Sequence, residues 1–233
     1  MERGWWADAV LDLAAGGRCA GCARPGRVVC FPCRAELPTA AYVCWPTPTP
    51  AGLVIPWATG EYDGLLRALV NAHKENAVHG VRRPLAKLLA TAVEAAAAPS
   101  ERLILAAVPS RPGVNRRRGH DPTGSLVREA AQDLRRRGRD VEVTDVLRHR
   151  GGSADQAGLD STARARNLAG ALWCPSSAVR RLARRPAGRV IVCDDVLTTG
   201  ATAREAQRAL ESVGVEVAAI AAVAATRRLS LPG

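Results

Sequence analysis

One segment, residues 189–202, limits what this chain can fold into more than any other part of the sequence. It reads RVIVCDDVLTTGAT: a β-branched apolar run, two adjacent acids, a Thr-Gly turn, and then a helix-forming stretch. This order predicts a buried strand, a tight turn and an α-helix, which together make the repeating unit of a parallel α/β sheet. Two acids at the end of a buried strand need partners, because their desolvation is costly. The segment therefore predicts a binding loop as well as a fold.

The residue types of this loop suit a phosphorylated sugar. Glycine permits a tight turn and a close approach of main chain to ligand, and backbone amides at a helix N-terminus favour a phosphate. Asp194 and Asp195 can accept hydrogen bonds from vicinal sugar hydroxyls at the carboxyl edge of the sheet. The predicted phosphate-binding residues are Thr198, Thr199, Gly200, Ala201 and Thr202.

A plainer interpretation of the same loop is an ordinary strand–turn–helix in which Thr202 and Glu205 form a capping box. Such a box is compatible with binding, and we expect it to form. No Gly-Lys-Thr or Gly-Lys-Ser follows the glycine, so the loop is not a nucleotide-binding P-loop.

The rest of the chain divides into two predicted domains, a small one over residues 1–50 and an α/β domain over residues 51–233. A proline-rich stretch, CWPTPTPAG, predicts a stiff linker between them. Hydrophobic periodicity and breakers predict helices over residues 61–72, 84–98, 124–137 and 201–213. Short apolar runs predict strands over 102–108, 141–147, 189–193 and 215–225. Residues 148–187 are polar and arginine-rich, with weak periodicity, as in a functional or mobile loop.

Four of the seven cysteines lie in two CxxC pairs, CAGC and CFPC. Two such pairs complete a tetrahedron of thiolates, the closed arrangement of a structural zinc site. The predicted zinc ligands are Cys19, Cys22, Cys30 and Cys33. Cys44 is an alternative ligand or, preferably, a core thiol, and Cys174 and Cys193 are predicted to be buried apolar residues. Phe31, beside the second pair, could pack on the cluster or stack on a base.

Charge and composition limit the class of protein further. Lys and Arg exceed Asp and Glu by 33 to 22, a net charge of +11, which suits polyanions such as nucleic acid or phosphorylated small molecules. The alternative is a basic surface that only maintains solubility, since aromatic residues make up only 3% of the chain. No apolar run reaches the length of a membrane helix, and acids interrupt the N-terminal apolar positions. We therefore expect a cytoplasmic protein without membrane insertion.

The loop resembles the signature of type I phosphoribosyltransferases, and the chain resembles the ComF family from the cysteine pairs onward. The segments that carry the resemblance are EYDGLLRALVNAHK, AAVPSRPGVNRRRG and DDVLTTGAT. The resemblance implies a type I phosphoribosyltransferase fold, a parallel sheet flanked by helices, joined to an N-terminal zinc module. It also implies binding of phosphoribosyl pyrophosphate with Mg²⁺, and, in transformable bacteria, a role in the uptake of single-stranded DNA with a helicase partner.

The resemblance also assigns roles outside the loop. Ser110 and Arg111 follow the first predicted core strand, where the family's pyrophosphate loop lies, and Lys74 matches a basic position common in the family. A flexible loop that closes over the site is implied for Gln156, Arg164 and Asn167. One departure is His120-Asp121, which stands where the family carries an aromatic residue and an asparagine. An acid there would weaken pyrophosphate binding unless it engages a metal or an arginine.

Two functions therefore remain open at this point. The first is a Mg²⁺-dependent enzyme that transfers a phosphoribosyl group to a nitrogen acceptor, with Asp194 and Asp195 as the catalytic acids. The second is a non-catalytic protein that holds the phosphorylated ribose and engages single-stranded DNA and a helicase. A weaker third alternative is a regulator that exchanges phosphoribosyl pyrophosphate for DNA. A homo-oligomer is compatible with each, and nothing in the sequence identifies the acceptor.

Overall fold

The computed structural model describes residues 17–74, 78–110, 121–150 and 170–226. In these ranges a six-stranded sheet carries helices on both faces, and a separate two-stranded sheet lies beside it. The strands are β1 Tyr42–Val43, β2 Pro56–Glu61, β3 Leu103–Ala107, β4 Val141–Thr144, β5 Arg148–His149, β6 Leu172–Trp173, β7 Arg189–Leu197 and β8 Ala219–Ala225. The helices are α1 Phe31–Ala35, α2 Gly64–Lys74, α3 Arg82–Ala95, α4 Pro122–Arg136, α5 Ser176–Ala183 and α6 Ala201–Glu211.

The large sheet has the order β1-β2-β8-β7-β3-β4, and only β1 pairs antiparallel to its neighbour. Strands that are covered on both faces need apolar side chains on both. β8 satisfies this requirement with seven buried residues, AIAAVAA. The predicted α/β fold with a mostly parallel sheet is confirmed.

The two faces of the sheet pack against different helices. Leu105 and Ile191 belong to the core formed with α2, α3 and α4, whereas Ile104 and Val192 belong to the core formed with α5 and α6. The helix that follows β3 therefore lies on one face, and the helix that follows β7 lies on the other. Since β3 and β7 are neighbours, the chain diverges at their carboxyl ends and leaves a crevice there, where open α/β sheets bind ligands.

Most predicted elements are present, with small shifts at their ends, but β2 was missed. Its sequence, PWATGE, lacks a β-branched run, yet it lies inside the sheet between β1 and β8. The helix predicted from residue 61 begins at Gly64 instead, because Glu61 ends β2. The stretch 148–187, predicted as a loop, contains β5, β6 and α5.

The proline-rich segment is fastened to α6. Arg204 Nε donates to Ala51 O at 2.9 Å, and Gln207 Nε2 donates to Gly52 O at 2.8 Å. Val54 N in turn donates to Gln207 Oε1 at 3.1 Å. Gln207 is almost fully buried, so its two bonds are partly shielded from competing water. The segment predicted to be a linker is therefore packed against the helix that follows the predicted binding loop.

Within the described ranges, no helix combines the length and apolar character that a membrane crossing requires.

Candidate functional site

The loop between β7 and α6, residues 198–200, is called the Gly200 loop, because one glycine determines its shape. Gly200 adopts φ 72°, in the left-handed region, and forms the N-cap of α6. A Cβ atom at this position would lie 2.9 Å from Pro46 Cγ and 3.3 Å from Leu53 Cδ2. Both the main-chain conformation and the packing against the proline-rich segment therefore require glycine here.

The predicted capping box is wrong. The N-cap residue of α6 makes no side-chain cap hydrogen bond, and Glu205 is used elsewhere. Its carboxylate accepts from Leu172 N at 3.0 Å and from Arg208 Nε at 2.7 Å. The first intrahelical bond runs from Arg204 N to Gly200 O, so the amides of the first turn lack intrahelical partners. An anion could therefore be bound at this helix end.

Asp195 is held by residues from two helices that flank the sheet. Lys74 Nζ, at the C-terminus of α2, lies 2.6 Å from Asp195 Oδ1. Thr123 Oγ1, in the first turn of α4, donates to Asp195 Oδ2 at 3.4 Å. Asp195 itself is only 3% exposed. The carboxylate is thus a buried junction between β7, α2 and α4.

Asp194 lies on the face of β7 opposite to Asp195, because side chains alternate along a strand. Val192, two residues before Asp194 and on the same face, belongs to the core beneath α6. Asp194 Oδ1 accepts from Asp195 N at 2.8 Å. Burial raises the pKa of Asp194 well above its ordinary value, and the charge of Asp195 raises it further, against the opposing effect of Lys74. Burial alone would lower the pKa of Lys74, but the charge and hydrogen bond of Asp195 outweigh it and raise that pKa.

Both acids lie within β7 and not after it, because the strand continues to Leu197 along β8. β3 ends earlier, at Ala107 opposite Cys193. The acids therefore extend past the end of β3 and border the crevice between the two strands. The predicted strand, residues 189–193, was too short for this reason.

The segment after β3 borders the same crevice. Ser110 follows β3 closely, and the preceding carbonyl, Pro109 O, lies 2.9 Å from His149 Nε2 on β5. The other predicted residues, which are Arg111, Gln156, Arg164, Asn167 and His120, lie outside the described residues.

Asp121 has a structural use that the sequence analysis did not foresee. It is the N-cap of α4, and its side chain accepts from Gly124 N at 3.1 Å. An acid at this position would weaken anion binding if neither a metal nor an arginine engaged it. Here the carboxylate is engaged by a backbone amide, and it fixes the start of the helix that carries Thr123.

The four predicted zinc ligands come together near α2. The sulfur atoms of Cys19, Cys22, Cys30 and Cys33 all lie within 4.8 Å of one another. Cys22 Sγ and Cys30 Sγ are 3.6 Å apart, close to the roughly 3.8 Å that tetrahedral Zn–S bonds of about 2.3 Å impose. The cluster could therefore hold a metal ion such as zinc.

The main chain around the cluster favours a thiolate. Burial raises the pKa of Cys19, but N–H groups of Cys30, Cys22 and Gly21 outweigh it and bring the pKa to about 6. One of these contacts joins Cys30 N to Cys19 Sγ at 3.4 Å. Amides that donate to sulfur are the outer support expected of a metal-binding knuckle.

The cluster packs directly on α2. A Cβ atom on Gly21 would lie 2.4 Å from Leu65 Cδ1, so a larger residue here would require the Leu65 side chain to move. Cys44 lies away from the cluster, in the core beneath α6, and Cys174 and Cys193 are buried as predicted. Phe31, by contrast, is 76% exposed and does not pack on the knuckle.

Replacing Asp194 by asparagine should stabilise the ligand-free protein at pH 7. A carboxyl whose folded pKa is raised favours the protonated form, so stability is lost as the pH rises from the unfolded pKa of about 4 through the folded pKa. The advantage of Asp194→Asn over wild type should therefore shrink as the pH falls towards about 4. Urea unfolding at a series of pH values measures it, with exposed Asp145→Asn as the control. If the difference in unfolding free energy between Asp194→Asn and wild type is the same at pH 7 and at about pH 4, the electrostatic cause is contradicted.

The comparison with known protein families matches the part of the chain that contains most of these site residues. Residues 123–232 match the family model described as the phosphoribosyl transferase domain, which is a little under half of the chain. No curated protein matches the chain. The matched residues contain both acids, the Gly200 loop and Thr123. The chain therefore carries a phosphoribosyltransferase domain, with a four-cysteine cluster on its N-terminal side.

Proposed function

We propose that the protein binds phosphoribosyl pyrophosphate and transfers its phosphoribosyl group to a nitrogen acceptor. One observation carries the proposal: Asp194 and the N-terminus of α6, whose first-turn amides have no intrahelical partner, border the same crevice, inside the region that matches the phosphoribosyl transferase domain. In this arrangement the amides and hydroxyls from Thr198 to Thr202 hold the 5-phosphate. The carboxylate of Asp194 accepts from the ribose hydroxyls, and Ser110 and Arg111 are the proposed pyrophosphate ligands.

The proposed chemistry needs no nucleophile from the protein, because the acceptor attacks the anomeric carbon as pyrophosphate leaves. Fixed acids near the ribose stabilise the positive charge that develops on the sugar, and a buried site strengthens that effect. A magnesium ion is commonly bound through substrate phosphates and one or two carboxylates, and Asp194 fits that donor set. When bound, Mg²⁺ supplies charge stabilisation of the pyrophosphate leaving group.

Phosphoribosyl pyrophosphate with Mg²⁺ should raise the melting temperature of the protein, since the ligand binds the folded state alone. Ligand at 100 times its Kd adds about 2.7 kcal/mol, or roughly 5–10 °C for a chain of this size. The shift should be lost in Asp194→Asn and retained in Asp145→Asn, the same chemical change at an exposed position. The absence of a shift in wild type at millimolar ligand would refute the proposal.

We also propose that the cysteine cluster is a structural zinc site that stabilises a module of residues 1–50, joined to a phosphoribosyltransferase-like domain of residues 51–233. The mutual distances of the four sulfur atoms support this. Closed thiolate sites stabilise modules that are too small to fold by hydrophobic burial alone.

Purified wild-type protein should contain about one zinc ion per chain, and a chelator should lower its melting temperature. Cys22→Ser should lose the metal, because Cys22 is one of the four ligands and its exposed position leaves the core intact. Cys44→Ser is the matched control and should keep the metal. Elemental analysis measures both, and equal zinc in the two variants would contradict the assignment.

A second candidate function, single-stranded DNA binding of the ComF type, is favoured by one surface. Trp173 is 40% exposed and pairs directly with Arg148 across β5 and β6. The adjoining helix, α5, carries the exposed Arg180 and Arg181, and the exposed Arg184 follows it directly. An aromatic ring among guanidinium groups is the usual combination for stacking bases while contacting phosphates. A helicase partner and a role in DNA uptake remain predictions from the resemblance. A cytoplasmic location and a homo-oligomer remain predictions of the sequence analysis.

Fluorescence anisotropy with labelled oligothymidine tests this surface. Wild type should bind with an affinity that falls steeply with salt, and Trp173→Ala should weaken binding roughly 5- to 150-fold through lost stacking of about 1–3 kcal/mol. Tyr42→Ala is the control, since Tyr42 is equally exposed but lies on β1, at the far edge of the sheet. Equal binding by the two variants would exclude this surface.

A further inference from the structure

The contact between Lys74 and Asp195 is a near-buried ion pair that ties three elements together. Asp195 shows 4% of its side chain to solvent, and Lys74 shows 26%. Lys74 ends α2, and its neighbour His73, also buried, places Nε2 3.1 Å from Pro122 O at the start of α4. The end of α2 is thereby held against α4, and the ammonium group of Lys74 against β7. Removing one partner of such a pair leaves an uncompensated buried charge.

Asp195 and Asp194 are connected through the main chain. The N–H of Asp195 donates to Asp194 Oδ1 at 2.8 Å, so the peptide that carries one carboxylate also orients the other. Any shift of the Asp195 peptide would change where the Asp194 carboxylate points. Because Lys74 and Thr123 fix Asp195 from the side of α2 and α4, they act on the orientation of Asp194 from the opposite side of the strand.

We propose that Lys74 is a positioning residue: it holds Asp195, and through the Asp195 peptide it holds the Asp194 carboxylate in the orientation that binds the ribose. This inference rests on the proposed function and specifies how its ribose half is built. It differs from the role of pyrophosphate ligand that the resemblance implied for Lys74. The ammonium group is already paired with Asp195 on the face of α2 and α4, so its charge is engaged by that carboxylate before any ligand binds.

Ligands that contain only part of phosphoribosyl pyrophosphate distinguish the two roles. Ribose 5-phosphate lacks the pyrophosphate, and magnesium pyrophosphate lacks the sugar. Calorimetric titration of Lys74→Gln should show roughly tenfold weaker binding of both ribose 5-phosphate and phosphoribosyl pyrophosphate, a change of about 1.4 kcal/mol, with unchanged pyrophosphate binding. Lys74→Arg, which retains the charge, should recover part of the loss. Lys87→Gln, an exposed lysine on α3, is the matched control.

A double-mutant cycle keeps the test valid even if Lys74→Gln is poorly stable. The variant Lys74→Gln/Asp195→Asn removes both buried charges together, which is far less costly than removing one. If Lys74 acts only through Asp195, adding Lys74→Gln to Asp195→Asn should cause no further loss of affinity for phosphoribosyl pyrophosphate. A direct pyrophosphate ligand would instead cause a further loss in the same background.

The outcomes separate this inference from the proposed function. Loss of phosphoribosyl pyrophosphate and pyrophosphate binding with normal ribose 5-phosphate binding would overturn the positioning role and leave the proposed function standing. Unchanged affinity for all three ligands in a folded Lys74→Gln variant would overturn it as well. Failure of wild type to bind ribose 5-phosphate or phosphoribosyl pyrophosphate would overturn the proposed function, and this inference with it.

Discussion

The divergence of the chain after two neighbouring parallel strands is the constraint on which the site depends. β3 leads into α4 on one face of the sheet, and β7 leads into α6 on the other. Two helices that leave in opposite directions cannot cover the strand ends between them, so a crevice remains. The N-terminus of α6, both acids and Ser110 reach this crevice because they follow or extend those strand ends. The strand order alone therefore brings these polar groups to one place, and no direct contact among them is needed to gather them there.

Polar groups in such a place cost stability, and the fold compensates for them unequally. Asp195 has Lys74 and Thr123 as partners, whereas Asp194 has the amide of its own neighbour and a raised pKa. A carboxyl that is poorly compensated in the free protein is available to a ligand that brings its own donors. Helix α2 connects this arrangement to the cysteine cluster, since Leu65 contacts Gly21 near its start and Lys74 ends it. Stabilising the cluster would therefore also stabilise the helix that places Lys74.

The sequence was sufficient for the features that depend on local pattern. The apolar runs of β3, β7 and β8 predicted buried strands, and the acids with the Thr-Gly turn predicted the site at the end of β7. β2 could not be predicted, because Pro56 and Gly60 are poor strand formers. The strand is retained by its neighbours, as when Thr59 Oγ1 donates to Val223 O. The capping box was wrong because Arg208 and Leu172 bind Glu205. The pairing of Lys74 with Asp195 depends on how α2 packs on the sheet, which no local pattern encodes.

The central claim is that the Gly200 loop binds the phosphate of a phosphorylated ribose, and backbone amide NMR tests it most directly. In a titration with ribose 5-phosphate, the account predicts that the amide signals from Thr199 to Thr202 shift most. The predicted shifts are downfield and saturable, since those N–H groups would donate to a charged oxygen. The amides that begin α3, a helix on the other face of the sheet, should remain unchanged. An unperturbed Gly200 loop at saturating ribose 5-phosphate, or equal changes at both helix ends, would contradict the account.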